Sequence, residues 1–144
     1  MPAPGDTAGP VAGYIAGWRP TSVSPQAAAF ARAVITETGP AGQERAKNLL
    51  WAAGKLADYG IGLGLDAVPE VLLHPSVTER FTRCAPALSG VARRTLRTNL
   101  RFIGRRVVPQ LWCLATSRCV CHCLMSLSLE LSLASRPLQA ITYA

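Results

Sequence analysis

The sequence predicts an all-α protein: a small four- to five-helix bundle with a disordered N-terminal arm and a poorly specified C-terminal tail. Three observations support this fold class. Apolar residues recur at helical spacing in several segments, helix-starting Ser or Pro residues and Gly or Pro breakers bound those segments, and no segment alternates β-branched residues with a period of two. The 144 residues, of which 49% are apolar, suffice for one core.

Residues 1–23 are predicted to form a flexible arm, because they contain four Pro and four Gly without an apolar period. Tyr14, Ile15 and Trp18 are the exceptions, and we expect them to dock the arm onto the domain. Ser24 and Pro25 then provide a helix start, which predicts a first helix over 25–37.

The second predicted helix covers residues 42–59 and has one continuous apolar stripe. Gly60, Gly62 and Gly64 are expected to end it; this spacing fits a helix end better than a phosphate-binding loop, because no strand precedes it. The stripe consists of Ala46, Leu49, Leu50, Ala53, Leu56 and Ala57.

The remaining helices follow from their caps and breakers. Asp66 is predicted to cap a short turn over 69–73, and Pro75 to open a helix that extends to residue 84. Ser89 is predicted to cap the last helix, over 90–108, which Pro109 closes. Residues 24–109 therefore form the predicted helical domain.

The tail at 110–144 is rich in Leu, Ser and Cys, and we interpret it as poorly specified, with a shifted reading frame as one hypothesis. Its four cysteines do not describe a disulfide framework, since they are bunched within eleven positions and the total in the chain, with Cys84, is five, an odd number. They form a single cluster, whereas structural zinc sites normally take paired ligands from two separate segments. This favours adventitious metal binding or oxidation over a zinc site. We therefore predict no metal and no other cofactor. The residues concerned are Cys113, Cys119, Cys121, His122 and Cys123.

The N-terminus lacks the basic start and apolar run of a secretory signal, and charged residues interrupt the longest apolar stretches. We therefore expect a cytoplasmic protein without a membrane partner.

Positive charge is concentrated in the second half: residues 80–144 hold ten Lys and Arg against one acidic residue, whereas residues 1–79 hold five Lys and Arg against seven acidic residues. This asymmetry indicates a polyanionic partner.

The last predicted helix places its arginines away from its apolar face. No acidic residue occurs between Glu79 and Glu130, so the guanidinium groups are expected to lack a local counter-charge and to favour an anionic ligand. Double-stranded DNA is the favoured partner. A merely solvated basic face and an anionic membrane surface remain open as alternatives. The predicted DNA-binding residues on this helix are Arg93, Arg94, Arg97, Arg101 and Arg105.

Three further DNA-binding residues are predicted on the face of the second helix opposite its apolar stripe: Lys47, Trp51 and Lys55. For Trp51 two interpretations stay open, burial under the N-terminal arm or contact with a DNA sugar or an unpaired base. The sequence shows no paired carboxylates and no nucleophile with a supporting base, so no catalytic residues are predicted.

Three stretches within residues 48–108 carry a family resemblance: NLLWAAGKLADYGIGLGLD, PEVLLHPSVTERF and LSGVARRTLRTNLRFIGRRV. They resemble the core-binding, SAM-like helical domain of tyrosine-type site-specific recombinases, which are phage-integrase-like proteins. In that family a small helical bundle precedes the catalytic domain and clasps one side of the DNA. The segment from Leu88 through Phe102 matches the pattern of its last helix. The resemblance implies DNA binding in DNA integration or recombination, with other recombinase protomers as further partners and no small-molecule substrate.

The catalytic elements of that family have no counterpart in this sequence. Family catalysis uses an Arg, a Lys, a His-x-x-Arg element and a Tyr nucleophile, but neither His74 nor His122 is followed by Arg three residues later, and Tyr143 lacks the surrounding motif. The resemblance therefore implies a non-enzymatic, DNA-binding half, truncated before the catalytic domain. Two alternatives stay open: a helical protein-interaction module whose basic face meets an acidic partner, and a nonfunctional integrase gene fragment.

Overall fold

The computed structural model describes residues 9–85 and 88–115, whose regular structure consists of seven helices and no strand. The predicted all-α class is confirmed. The chain divides into two compact units, Met1–Trp112 and Cys113–Ala144, and beyond residue 115 the second lies outside the described residues. The helices are α1 (Pro10–Gly17), α2 (Pro25–Thr38), α3 (Gln43–Gly62), α4 (Pro69–Leu72), α5 (Pro75–Cys84), α6 (Gly90–Val107) and α7 (Pro109–Ala115).

The core forms around α3, which packs against α1, α2, α4, α5 and α6. Its most extensive contact is with α2, while α6 packs against α2, α3 and α5. The apolar stripe predicted for the second helix is buried at all six positions. Leu96, Leu100 and Ile103 of α6 face this core and are also buried, so the basic helix is held through one apolar face.

Local capping confirms two of the predicted helix starts. The Ser24 hydroxyl accepts a hydrogen bond from the Ala27 N–H at 3.2 Å, and the Ser89 hydroxyl accepts one from Ala92 at the same distance. The predicted Asp66 cap is wrong. Val68 is the residue that precedes α4, because Pro69 takes the first helical position, and Asp66 therefore lies too far upstream to cap the helix.

Helix α3 extends three residues beyond its predicted end, to Gly62. Gly60 lies inside the helix, where the Leu72 side chain packs so closely that it leaves no room for a Cβ atom. The chain leaves the helix at Gly64, whose φ is +78°, and the Leu65 N–H then donates to the Gly60 carbonyl at 3.0 Å. Together with the 2.9 Å bond from the Gly64 N–H to the Ile61 carbonyl, this forms a Schellman motif.

The prediction of a flexible arm is wrong for residues 10–17, which form α1. Pro10 provides a favourable first helical position, and Ile15 is buried in the core at 3% exposure. Trp18 packs against the core, and its carbonyl accepts a hydrogen bond from Arg32 Nη1 at 2.9 Å. The predicted docking through Tyr14, Ile15 and Trp18 is thus confirmed, since Tyr14 is also packed against the core.

The predicted domain end at Pro109 is three residues short. Pro109 ends α6 but also takes the first position of α7, a role that suits proline because it needs no N–H donor there. Trp112 of α7 is buried at 4% exposure and belongs to the core. The residues of the tail from 116 onward, including Cys119, Cys121, Cys123 and Tyr143, lie outside the described residues.

Within the described ranges 9–85 and 88–115, no three His, Cys, Asp or Glu side chains come together in a way that could hold a metal ion. In the same part of the chain, no helix is long and apolar enough to span a membrane.

Candidate nucleic-acid interface

Helix α6 carries six arginines outside its buried face. The sequence predicts five of them as DNA-binding residues, and Arg106 is the sixth. Five of these side chains lie in three environments, namely the end of α5, a shared carboxylate, and a groove beside α3, whereas Arg94 lies in none of them. The six are Arg93, Arg94, Arg97, Arg101, Arg105 and Arg106.

Arg93 is engaged with the last turn of α5. Its Nη1 donates to the carbonyl oxygens of Thr82 at 2.6 Å and Arg83 at 2.9 Å, and its Nη2 donates to that of Ala85 at 3.2 Å. The last carbonyls of a helix have no partner within the helix, and a cation there also interacts favourably with the helix dipole. Arg93 therefore fastens α6 to α5, which leaves it few donors for a phosphate.

The expectation that the arginines lack a counter-charge is wrong, because Glu79 of α5 lies beside α6. Its Oε1 accepts hydrogen bonds from Arg101 Nη2 at 2.7 Å and Nε at 3.2 Å. Its Oε2 lies 3.4 Å from Arg97 Nε, an ion pair without hydrogen-bond geometry. The two arginines thus share one carboxylate, and half-exposed pairs of this kind are worth about 0–1 kcal/mol each.

A groove of about 520 Å³ lies between α6 and the start of α3. Advancing by about 100° per residue along α6 places Thr98 and Phe102 near the centre of this face, with Arg101 and Arg105 on one side and Arg106 on the other. We call this site the basic groove; it is lined by Arg45, Thr98, Arg101, Phe102, Arg105 and Arg106.

Arg45 contributes the α3 wall of the basic groove and is held in two ways. Its Nη1 donates a hydrogen bond to Oδ1 of Asn99, a side chain that is 4% exposed, at 2.8 Å. Its guanidinium carbon lies 4.8 Å from the centre of the Phe102 ring, within the range of a cation–π contact. The guanidinium group is therefore fixed over an aromatic ring before any ligand arrives.

Three arginines of α6 are exposed and have no hydrogen bond or ion pair within the described residues: Arg94, Arg105 and Arg106. Because two of them line the basic groove, that site combines fixed guanidinium groups with side chains that are available to a ligand. Among the described residues, the acidic side chain that lies beside the arginines of α6 is that of Glu79, which is bound to Arg101.

The predicted residues of α3 lie apart from the basic groove. Arg45 faces α6, and about 100° of rotation per residue puts Lys47 and Trp51 more than about 100° away from it around α3. Trp51 is 40% exposed, so of its two interpretations burial under the N-terminal arm is wrong; Trp18 packs against α3 instead. Lys55 donates a hydrogen bond to the Ser22 carbonyl at 3.2 Å, which directs it toward the start of α2.

Comparisons with protein-family models, with curated proteins and with solved structures found no significant match.

Two members of the site, Arg45 and Arg106, are not among the residues that the sequence predicts. Arg106 adjoins Arg105 and could have been included from the composition of the helix alone. Arg45 lies 54 positions before Asn99 and belongs to a different helix, so only the packing of α3 against α6 brings it to the groove.

Proposed function

We propose that this chain binds double-stranded DNA, without catalysing a reaction on it, through the basic face of α6. We define that face by Arg94, Arg97, Arg101, Arg105 and Arg106 and leave out Arg93 because its donors are bound to α5. The proposal agrees with the resemblance of residues 48–108 to recombinase core-binding domains, which would make the chain a non-catalytic binding module.

The observation that carries the proposal is the uncompensated charge on one helix. Of the arginines on this face, only Arg97 and Arg101 have an acidic partner in the described structure, and they share Glu79. Arg94 and Arg106 are twelve residues apart, which corresponds to about 18 Å along a helix and to several phosphates of a duplex backbone. Binding to phosphates would relieve the mutual repulsion of these side chains.

Phosphate contacts predict a defined response to salt, because each contact displaces condensed counterions from the DNA. If about four of the five arginines on this face contact phosphates, the logarithm of the duplex association constant should fall against the logarithm of salt concentration with a slope near −3.6. Arg105→Ala should reduce the magnitude of this slope by about 0.9. Fluorescence anisotropy with a labelled duplex across a salt series provides the measurement.

The matched control is Arg19→Ala, which removes the same charge at an exposed position outside α6. Arg19 donates to the nearby carbonyls of Ala16 and Trp18, so its loss should leave the slope unchanged. Equal slopes for the wild type and both variants, or no duplex binding at low salt, would eliminate this face as a DNA-contacting surface. Binding to an acidic polypeptide instead would favour the protein-interaction module.

A further inference from the structure

The centre of the basic groove is aromatic. Phe102 is 39% exposed, lines the groove near the centre of this face of α6, and contacts the guanidinium group of Arg45. Contacts with a regular duplex backbone require positive charge but no aromatic ring, because phosphates and sugars line the outside of the duplex. The ring at this position therefore calls for an explanation beyond phosphate binding.

Arg45 and Phe102 form a cation–π pair, which we call the Arg45–Phe102 platform. The guanidinium carbon lies 4.8 Å from the ring centre, and the 2.8 Å hydrogen bond that Arg45 Nη1 donates to Asn99 Oδ1 restricts the guanidinium group to that position. Aromatic rings and guanidinium planes are the groups on which proteins stack unpaired bases. Such a stack tolerates every base, because each base offers a flat π-face.

We infer that the basic groove takes an unpaired nucleotide, with its base stacked on the Arg45–Phe102 platform and its flanking phosphates bound by Arg105 and Arg106. A base within an intact duplex is covered on both faces by its neighbours and cannot occupy this platform. The inference rests on the proposed DNA binding and adds a preference for single-stranded or locally opened DNA over closed duplex.

The test uses the full chain and two probes, labelled oligothymidylate, which forms no hairpins, and a duplex of equal length. Phe102→Leu removes the aromatic face but keeps an apolar side chain. Arg45→Lys keeps the positive charge but removes the planar guanidinium group. Val91→Ala is the matched control, since Val91 is a 71% exposed apolar residue of the same helix that does not line the groove. Circular dichroism confirms that each variant remains helical.

Phe102→Leu and Arg45→Lys should each weaken oligothymidylate binding about 5- to 150-fold, the range expected for the loss of one base stack. Duplex affinity should stay within about twofold of the wild type, because phosphate contacts depend on charge rather than on stacking. Phe102→Trp should retain single-strand binding, and Val91→Ala should change neither affinity.

Two sets of results would overturn the inference. If both variants leave oligothymidylate binding unchanged, or weaken both probes equally, no base stacks on the platform, although wild-type duplex affinity would still support the proposed function. If the wild type binds neither probe, both proposals fail. Conversely, variant-sensitive binding of oligothymidylate without duplex binding would retain the stacking site and refute duplex recognition.

Discussion

The indole of Trp112 lies against Gly104 and donates a hydrogen bond from Nε1 to the carbonyl oxygen of Leu73 at 2.9 Å. This contact ties α7 to α6 and to the residue that follows α4. A Cβ atom at position 104 would overlap the indole ring, so glycine is required at that position of α6. The basic helix is therefore positioned partly by a residue beyond the domain end that the sequence predicts.

Gly104→Ala should destabilise the protein by about 1–3 kcal/mol through overpacking against Trp112. Gly62→Ala is the matched control, because a Cβ atom there would meet no atom within 4 Å. It should be neutral or stabilising by up to about 1 kcal/mol, since it restricts the unfolded chain. Urea unfolding followed by circular dichroism measures both. Equal free energies of unfolding for the two variants would contradict the close approach of Trp112 to α6.

Arg93→Ala and Arg94→Ala should separate folding from binding at neighbouring positions. Arg93 hydrogen-bonds three carbonyls at the end of α5, so its loss should lower the free energy of unfolding by about 1.5–3 kcal/mol. Arg94 is exposed, and its loss should lower duplex affinity while changing stability by less than about 0.5 kcal/mol. Thermal unfolding and anisotropy distinguish the two effects. If Arg93→Ala is as stable as the wild type and reduces the dependence of duplex affinity on salt, Arg93 contacts DNA.

Glu79→Gln should increase duplex affinity. The Glu79 carboxylate competes with DNA phosphates for Arg97 and Arg101, and pairs of this exposure are worth about 0.2–1 kcal/mol, which corresponds to about a 1.4- to fivefold gain in affinity. Glu70→Gln, at an exposed position on α4, makes the same change in net charge and serves as the control. If both variants raise duplex affinity equally, total charge rather than release of the two arginines is responsible.

The helices of the core could be predicted because their signals are local. Ser24, Pro75 and Ser89 mark helix starts within one turn of the residues that they affect, and the stripe of α3 repeats at helical spacing. Helix α1 could not be predicted in the same way, since Gly13 and Gly17 obscure its short apolar pattern. A helix of this length depends mainly on packing against its neighbours, which the sequence does not display.

The candidate site was predictable only in part, for a related reason. The spacing of the α6 arginines shows that they lie outside the apolar face, but it gives no information about which other elements reach them. Glu79 and Arg45 approach α6 from α5 and α3, across separations of 22 and 54 residues to their partners Arg101 and Asn99. Contacts at such separations follow from tertiary packing alone.

The docking of α1 provides the last test, because it depends on a close approach between an indole and a glycine. A Cβ atom at Gly54 of α3 would lie 2.8 Å from Cη2 of Trp18, which is too close for an unstrained contact. Gly54→Ala should therefore cost about 1–3 kcal/mol of stability. In a Trp18→Leu background the shorter side chain leaves more room, and the same substitution should cost less, with a coupling energy of about 0.5–3 kcal/mol between the two sites. A double-mutant cycle of urea unfolding measures this coupling. Strictly additive effects would show that Trp18 does not pack on α3 in solution and that the residues before α2 form the flexible arm that their glycine and proline content predicts.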